Sequence, residues 1–479
     1  MTAFNRSCIS RFRQFAQYST FKKLSLPSQT IKSILSSPKE NDARVSVCGW
    51  VRSVRKQKQV SFATINDGST LKGIQAILNP EDAEKLTTGA CVELKGSLVT
   101  SLGAEQNKEL QVDQIDILGA CDGTYPLQKK RHSMEFLRSI GHLRMRGNTG
   151  SAVLRVRHAA SEGLRDFFRD NEFTLTNTPI LTANDCEGGG EVFEVSPINC
   201  KDRTEFFKKP VYLTVSGQLH AEAMALALSR VYTFGPVFRA EESMTSRHLA
   251  EFWMLEAELS FINQLSTLLD VAEASLKEST HYVMRTCQED LEFFNKWVDK
   301  SLMERLMTSV EKPFVRMTYS EAIDVLQRAQ DKKEKRFEFP TVWGSSLQTE
   351  HERYLASEYC QRPVFVTDYP AHLKPFYMRA NETKDGKDTV SCFDLLVPGI
   401  GELIGGSMRE ERYDILKQKM MDAKMDLDDY QWYLDLRKYG SAPHGGYGLG
   451  FERLLLWLTG LENVREVIPM PRWAGHCKY

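Results

Sequence analysis

The ten cysteines of this chain form no C-x-x-C pair. That excludes the spacing of a zinc ribbon or a thioredoxin-type site and leaves reduced thiols as the reading. No apolar run approaches the ~20 residues of a membrane-spanning helix. There is no G-x-x-x-x-G-K-[ST] phosphate loop and no H-E-x-x-H zinc motif. Gly399-Ile400-Gly401-Glu402-Leu403-Ile404-Gly405 imitates a dinucleotide fingerprint. Its third glycine comes one residue late, however, and Pro398-Gly399 is no strand-to-helix entry. Net charge is also missing: 62 basic and 63 acidic side chains leave −1. A globally basic nucleic-acid coat is thereby excluded, while a local basic patch is not.

Acid is absent from the N-terminus up to Glu40, whereas Arg6, Arg11, Arg13, Lys22, Lys23, Lys32 and Lys39 are present among many serines. No apolar h-region accompanies them, so a secretory signal is disfavoured. A basic, serine-rich, acid-free leader has the composition of an organelle transit peptide, here read as mitochondrial over residues 1–24, with the matrix as destination. A basic tail without an address is the alternative. Removal of this leader would leave the remainder distinctly acidic.

The 479 residues, 42% hydrophobic, suffice for two to four domains at roughly 100–200 residues each. Residues 25–122 read as a barrel domain. Within it, runs at Val45–Val51, Ser61–Ile65, Ile74–Leu78, Cys91–Leu98 and Leu110–Leu118 are strand-like and punctuated by turns such as Asn66-Asp67-Gly68-Ser69. Five short strands predict a small closed barrel of the OB type, a frequent binder of single-stranded nucleic acid. Phe62 fits either its core or an outward binding face. The basic stretch Arg52–Lys58 fits either a rim or a solvated loop.

Residues 123–145 read as a polar connection and 146–479 as a larger domain. Val153, Val156, Ala160, Leu164, Phe167 and Phe168 recur at helical spacing. Phe173–Thr178 then reads as a strand ended by Pro179. Val231–Phe238 and Phe252–Phe261 flank the charged loop Arg239–Glu251 as a long hairpin. Residues 262–335 read as mostly helical. Gly445–Gly450 reads as a glycine-rich turn leading into a helix from Phe451. The fold class is therefore α+β: a five-stranded barrel followed by an antiparallel sheet flanked by helices.

Two constellations carry chemistry. The hairpin holds Phe238-Arg239-Ala240-Glu241 and Arg247-His248-Leu249-Ala250-Glu251-Phe252. Forked arginine donors beside an aromatic suit a polyphosphate and a base, although a charged hairpin can also be merely solvated. Gly446–Arg453 combines glycines that admit close backbone approach with a helical arginine.

These elements, in this order, resemble the three motifs of class II aminoacyl-tRNA synthetases, and the barrel points to the subclass for aspartate, asparagine and lysine. The resemblance covers nearly the whole chain beyond the leader. Within that subclass, Asn184–Phe193 is similar to the asparagine-specific branch. In Leu213–Glu222, aspartate-specific members usually place a lysine three residues after the glutamine. Here Ala221 stands at that position, and the carboxylate of Glu222 lies beside it. A substrate carboxamide needs a donor and an acceptor partner. Glu222 and Arg409 supply them, and Glu222 repels aspartate.

The resemblance further implies the substrates ATP, L-asparagine and tRNA(Asn), Mg²⁺, a homodimer through the first motif and no membrane partner. It implies Arg239, Glu402 and Arg453 as catalytic residues. ATP would be held by these three with Glu241, Arg247, His248 and Phe252. Glu187, Gln218, Glu222, Glu256, Arg409 and His444 would hold the amino acid. Asp394 and Glu402 are the implied Mg²⁺ carboxylates, and Phe62 and Gln75 the anticodon contacts.

Overall fold

The computed structural model describes residues 29–37, 43–101, 103, 106–130, 132–186, 191–199, 202, 204–243, 245–384 and 386–479. The leader read at 1–24 and Glu187 lie outside these residues. The chain divides into two compact units at Arg131/His132. Among the described residues no helix is long and apolar enough to cross a membrane. The eight described cysteines are all free.

The first unit is a closed five-stranded barrel. Its strands are β1 Arg44–Arg55, β2 Ser61–Asn66, β3 Ile74–Leu78, β4 Cys91–Thr100 and β5 Lys108–Gly119, ordered β1-β2-β3-β5-β4. Period-two alternation sends Val45, Val47, Ala63, Ile65, Ala76, Val92 and Leu94 into the core. Helix Ile31–Ser36 adds Ile31 and Ile34 to that core. Its start is fixed by Thr30, whose side chain accepts from Ser33 N–H, and by the Ile31 N–H donating to Asp67 Oδ2 at 2.8 Å.

The second unit is built on an eight-stranded sheet. Its strands are β6 Thr174–Leu175, β9 Arg230–Phe238, β10 Glu251–Ser260, β11 Val315–Thr318, β12 Val364–Thr367, β13 Cys392–Val397, β14 Gly401–Met408 and β15 His444–Gly450. A separate short hairpin pairs β7 Leu181–Thr182 with β8 Tyr212–Leu213. The sheet order is β11-β12-β13-β14-β15-β10-β9-β6. The six central strands are antiparallel, and only the edge pairs β11–β12 and β6–β9 are parallel.

Two sequence expectations are corrected. The strand read at Phe173–Thr178 shrinks to Thr174–Leu175, because the chain pairs with β9 over two residues only. The glycine-rich "turn" Gly445–Gly450 is a central strand, hydrogen-bonded to β10 on one side and β14 on the other. Glycine usually weakens a strand, but it is kept where another group must approach closely. The stretch read as a connection contains helices Met134–Ser139 and Gly141–Arg144. From the second of these, buried Arg144 donates to the carbonyls of Arg465 and Pro469.

Helix Asn148–Asp170 buries Val153, Val156, Ala160, Leu164 and Phe168 of the stripe predicted by its spacing, while Phe167, turned aside from that stripe, is only half-buried. Helix Leu265–Thr286 packs alongside it. A Cβ at Gly163 would lie 2.8 Å from Tyr282 Cβ, so glycine sets the close approach of these two helices. Ser279 Oγ seals the contact by donating to the Ala160 carbonyl at 3.1 Å. The charged helical region at 262–335 thus supports the motif-bearing helix and β15, whose Tyr447 hydroxyl lies 2.9 Å from Ser275 Oγ.

Phe168 is fully buried and stacks on Tyr232 of β9 with centroids 4.6 Å apart. Phe168→Ala is expected to cost about 3–5 kcal/mol of stability, as buried aromatic truncations do. Chemical denaturation followed by circular dichroism checks this; a change under 1 kcal/mol would mean that the helix is held elsewhere.

Candidate active site

The floor of the site is β10, β15 and β14. Phe252, Met254, Glu256 and Glu258 alternate along β10 and so share one face. Gly448 and Gly446 of β15 stand opposite Glu256 and Glu258. A Cβ at Gly446 would fall 2.1 Å from Glu258 Oε1. Only the missing side chain lets that carboxylate lie over the neighbouring strand.

At one end of this floor is an open cleft enclosing about 720 Å³ including its mouth. Arg239, Glu241, Arg247, His248 and Phe252 line one side, and Glu402 and Arg453 the other. All seven residues expected for ATP therefore meet in one place. The Arg239 guanidinium lies over the Phe252 ring, 5.5 Å from its centre. Glu241 orients its neighbours: Oε2 is 3.1 Å from His248 Nε2, and Oε1 is 3.8 Å from Arg239. Arg247 donates to Thr349 Oγ1 at 3.0 Å and to the Ile400 carbonyl. Arg453 donates to the carbonyl of Glu402 at 2.9 Å and to its carboxylate at 3.3 Å. A flat aromatic beside several fixed guanidinium groups is chemistry for a base and a polyphosphate.

Glu402 and Asp394 flank Gly405, where a Cβ would be 3.1 and 3.6 Å from their respective oxygens. Loss of water opposes ionisation of Glu402, but Arg453 and Lys374 outweigh it and hold its carboxyl below the usual range. Asp394 is not a bare carboxylate: Lys374 Nζ donates to its two oxygens at 2.9 and 2.7 Å. Burial pushes the Asp394 carboxyl upward all the same. Glu352, unmarked in the sequence, is a third acid here. It accepts from the Glu402 N–H at 3.2 Å, and burial with the Glu402 charge pushes it up to about 7. Among the described residues no three potential ligands form a preformed ion nest. Two hard oxygen side chains beside a phosphate cleft nevertheless fit Mg²⁺, which commonly takes one or two carboxylates and completes its shell with phosphates and water.

Beyond Arg239, the floor passes into a buried polar pocket. Glu256 accepts from Gly217 N–H at 2.8 Å and from the Ser216 hydroxyl. Burial raises its carboxyl, against the positive charges of Arg409 and Arg239. Helix Gln218–Leu228 brings Gln218 and Glu222 in from the side, with Gln218 Nε2 donating to Glu222 Oε1 at 3.1 Å. His444 Nε2 lies 3.1 Å from Glu222 Oε2, and its Nδ1 lies 2.8 Å from the Ala442 carbonyl. Arg409 lies 3.8 Å from Glu222 and pairs bidentately with Glu258, while its Nη1 donates to Ser407 Oγ at 2.8 Å. Thus Gln218, Glu222, Glu256, Arg409 and His444 converge as expected. Glu187 lies outside the described residues.

Glu258 escaped the sequence reading, although its spacing of two from Glu256 marks the same strand face. Tyr433 and Arg437 escaped it too. They reach Glu222 from a distant helix, and nothing local to either segment signals that meeting.

In the barrel unit, Phe62 faces outward, half-buried, and its place in the core is excluded. Thr64 of β2 pairs with Gln75 of β3, and Phe62 pairs with Ile77, so ring and amide share one face. Arg55 lies 5.8 Å above the Phe62 ring. Gln75 Nε2 donates to Glu109 Oε1 at 3.1 Å.

Residues 133–474 match the family of class II tRNA synthetases for D, K and N, and residues 45–118 match the OB-fold nucleic acid binding domain. The chain belongs to the class II tRNA synthetases. It is 52% identical to the asparagine–tRNA ligase of Microcystis aeruginosa over 90% of this chain and 95% of that protein. It is 48% identical to a protein of Dictyostelium discoideum named probable asparagine–tRNA ligase, mitochondrial, over 91% and 94%. The asparaginyl-tRNA synthetase of Pyrococcus horikoshii, solved with asparaginyl-adenylate, superposes with a TM-score of 0.83 at 32% identity, covering 95% of this chain and all of that one. The enzyme's activity is asparagine–tRNA ligation.

In this enzyme Gly446→Ala forces a methyl group into Glu258. The substitution is expected to cost roughly 1–3 kcal/mol, typical of overpacking, and to impair asparagine activation by displacing Glu258. Thermal unfolding and pyrophosphate exchange check it together; an unchanged enzyme would mean that Glu258 can move aside freely.

Proposed function

We propose that the enzyme activates L-asparagine with ATP and charges tRNA(Asn) in the mitochondrial matrix. The observation that carries the specificity is the buried Glu222–Arg409 arrangement, with Ala221 where aspartate-specific relatives place a cation. Glu222 accepts from the substrate amide nitrogen, and Arg409 donates to the amide oxygen. Gln218 and Glu256, with Glu187, hold the substrate ammonium and carboxylate, and His444 closes the pocket.

Asparagine's carboxylate is already anionic, so adenylate formation needs no protein nucleophile or general base. Positioning and charge neutralisation carry the step. Arg239 stands between the two halves of the site and holds the α-phosphate as the carboxylate attacks its phosphorus, forming asparaginyl-adenylate and releasing pyrophosphate. Arg247 and His248 approach the outer phosphates, Arg453 covers the γ-phosphate, and Phe252 stacks on adenine with Glu241 steadying the loop. Glu402 and Asp394 would hold Mg²⁺, which supplies charge compensation for the phosphates. The terminal ribose hydroxyl of the tRNA then takes the acyl group and releases AMP.

Phe62 and Gln75 offer a stacking ring and a base-reading amide to the anticodon. The proposed domain division is leader 1–24, barrel 25–122, connection 123–145 and catalytic domain 146–479, with the part of the connection from His132 onward belonging to the second compact unit. The acid-free leader and the Dictyostelium relative's name support the mitochondrial assignment. A homodimer through the segment around Asn148–Thr182 is supported by Leu175, Ile180 and Leu181, large apolar side chains left exposed there.

ATP–pyrophosphate exchange with asparagine and with aspartate tests this reading. Exchange is expected with asparagine, and Arg239→Ala is expected to reduce it by about 10²–10³-fold, as loss of one transition-state charge partner does. Preferred aspartate exchange, or substantial exchange by the variant, would overturn the assignment. Phe62→Ala is expected to lower tRNA charging about tenfold or more, the worth of one stacked base, while sparing exchange. Equal loss in both assays would place Phe62 in barrel stability instead.

A further inference from the structure

Glu222 has a difficult position. It is fully buried in the first turns of helix Gln218–Leu228, and burial favours a neutral carboxyl. A neutral Glu222 would offer a hydroxyl donor, would not repel aspartate and would lose the strong acceptor that a carboxamide requires. Groups on other elements must therefore fix both its charge and its aim.

Two of them come from helix Gln431–Lys438, far away in sequence. Tyr433 donates its hydroxyl to Glu222, with both oxygens at 2.8 Å. Arg437 Nη2 donates to Glu222 Oε2 at 2.7 Å and also to the Tyr433 oxygen at 2.9 Å. Its Nε donates to the Glu410 carbonyl at 2.9 Å, and its guanidinium lies 4.0 Å from the Tyr433 ring centre. The side chains of Arg437 and Glu222 are both without solvent exposure. One face of the carboxylate is thereby clamped by an i,i+4 pair on a single helix. The other neighbours of Glu222 are Gln218, His444 and Arg409, with Glu258 behind Arg409. Burial disfavours the charged form of Glu222, but Arg437, His444 and Arg409 together outweigh it and hold its carboxyl well below the usual range.

We propose that Tyr433 and Arg437 are positioning residues for amino-acid specificity, which orient the Glu222 carboxylate so that it accepts from a carboxamide and rejects a carboxylate. This rests on the reading of Glu222 as the amide acceptor. The two groups act through Glu222 and do not touch the reacting atoms.

The test is pyrophosphate exchange on the full chain with Tyr433→Phe, Arg437→Lys, Arg437→Gln and Glu222→Ala, measuring KM for asparagine, KM for ATP and the aspartate-to-asparagine ratio. Tyr433→Phe removes one hydroxyl and keeps the ring, so it remains informative should an arginine variant fail to fold. Its asparagine KM is expected to rise about tenfold, the worth of one hydrogen bond to a charged group, with the ATP KM unchanged and the aspartate ratio increased. Arg437→Lys, which keeps the charge but not the fork, should shift the same quantities less than Arg437→Gln. An unchanged asparagine KM in Tyr433→Phe, or equal changes in both KM values, would overturn the proposal. If Glu222→Ala alone changes specificity, the reading of Glu222 stands and the positioning role fails. If Glu222→Ala changes nothing, the underlying reading fails.

Discussion

The site depends on one packing constraint: carboxylate side chains of β10 lie across a strand whose facing positions, Gly446 and Gly448, have no side chains. Glu258 occupies the space that a Cβ at Gly446 would need. A sheet centre of ordinary apolar residues would bury these acids against hydrocarbon, where an unpaired charge is untenable. Glycine at alternate positions of β15 turns the middle of the sheet into a shallow polar floor instead. The helices Asn148–Asp170 and Leu265–Thr286 make up for it by packing apolar surface away from that floor.

Charge compensation follows from that geometry. Four acids of the site are each met by a base from another element: Glu258 by Arg409, Glu222 by Arg437, Glu402 by Arg453 and Asp394 by Lys374, whereas Glu256 is held by the Gly217 N–H and the Ser216 hydroxyl. Breaking such a pair leaves one charge buried without its partner, which costs more than the pair contributes. Arg239 links the halves, since its charge acts on both Glu256 and Glu402. The nucleotide cleft and the amino-acid pocket are therefore coupled by electrostatics as well as by proximity.

The five barrel strands, the helix ending at Asp170 and the hairpin around Arg239–Glu251 were legible because each is a local pattern. Alternation and helical spacing need only a few neighbours along the chain. The seven cleft residues were legible only through the resemblance to the class II motifs, on which their assignment rested. Gly445–Gly450 was misread because glycine locally signals a turn, and only two flanking strands make it a β-element. Lys374, Glu352, Tyr433 and Arg437 left no local mark.

By itself the sequence determined which residue types were available and at what periodicity. That covers the barrel, the order of the motifs, the absence of a cation at Ala221 and the acid beside it. The tertiary structure alone decided which charges meet. Glu222 and Arg437 are 215 residues apart in sequence. Their pairing follows from helix packing onto a common sheet, because a buried charge takes its partner by position in space, not by proximity along the chain.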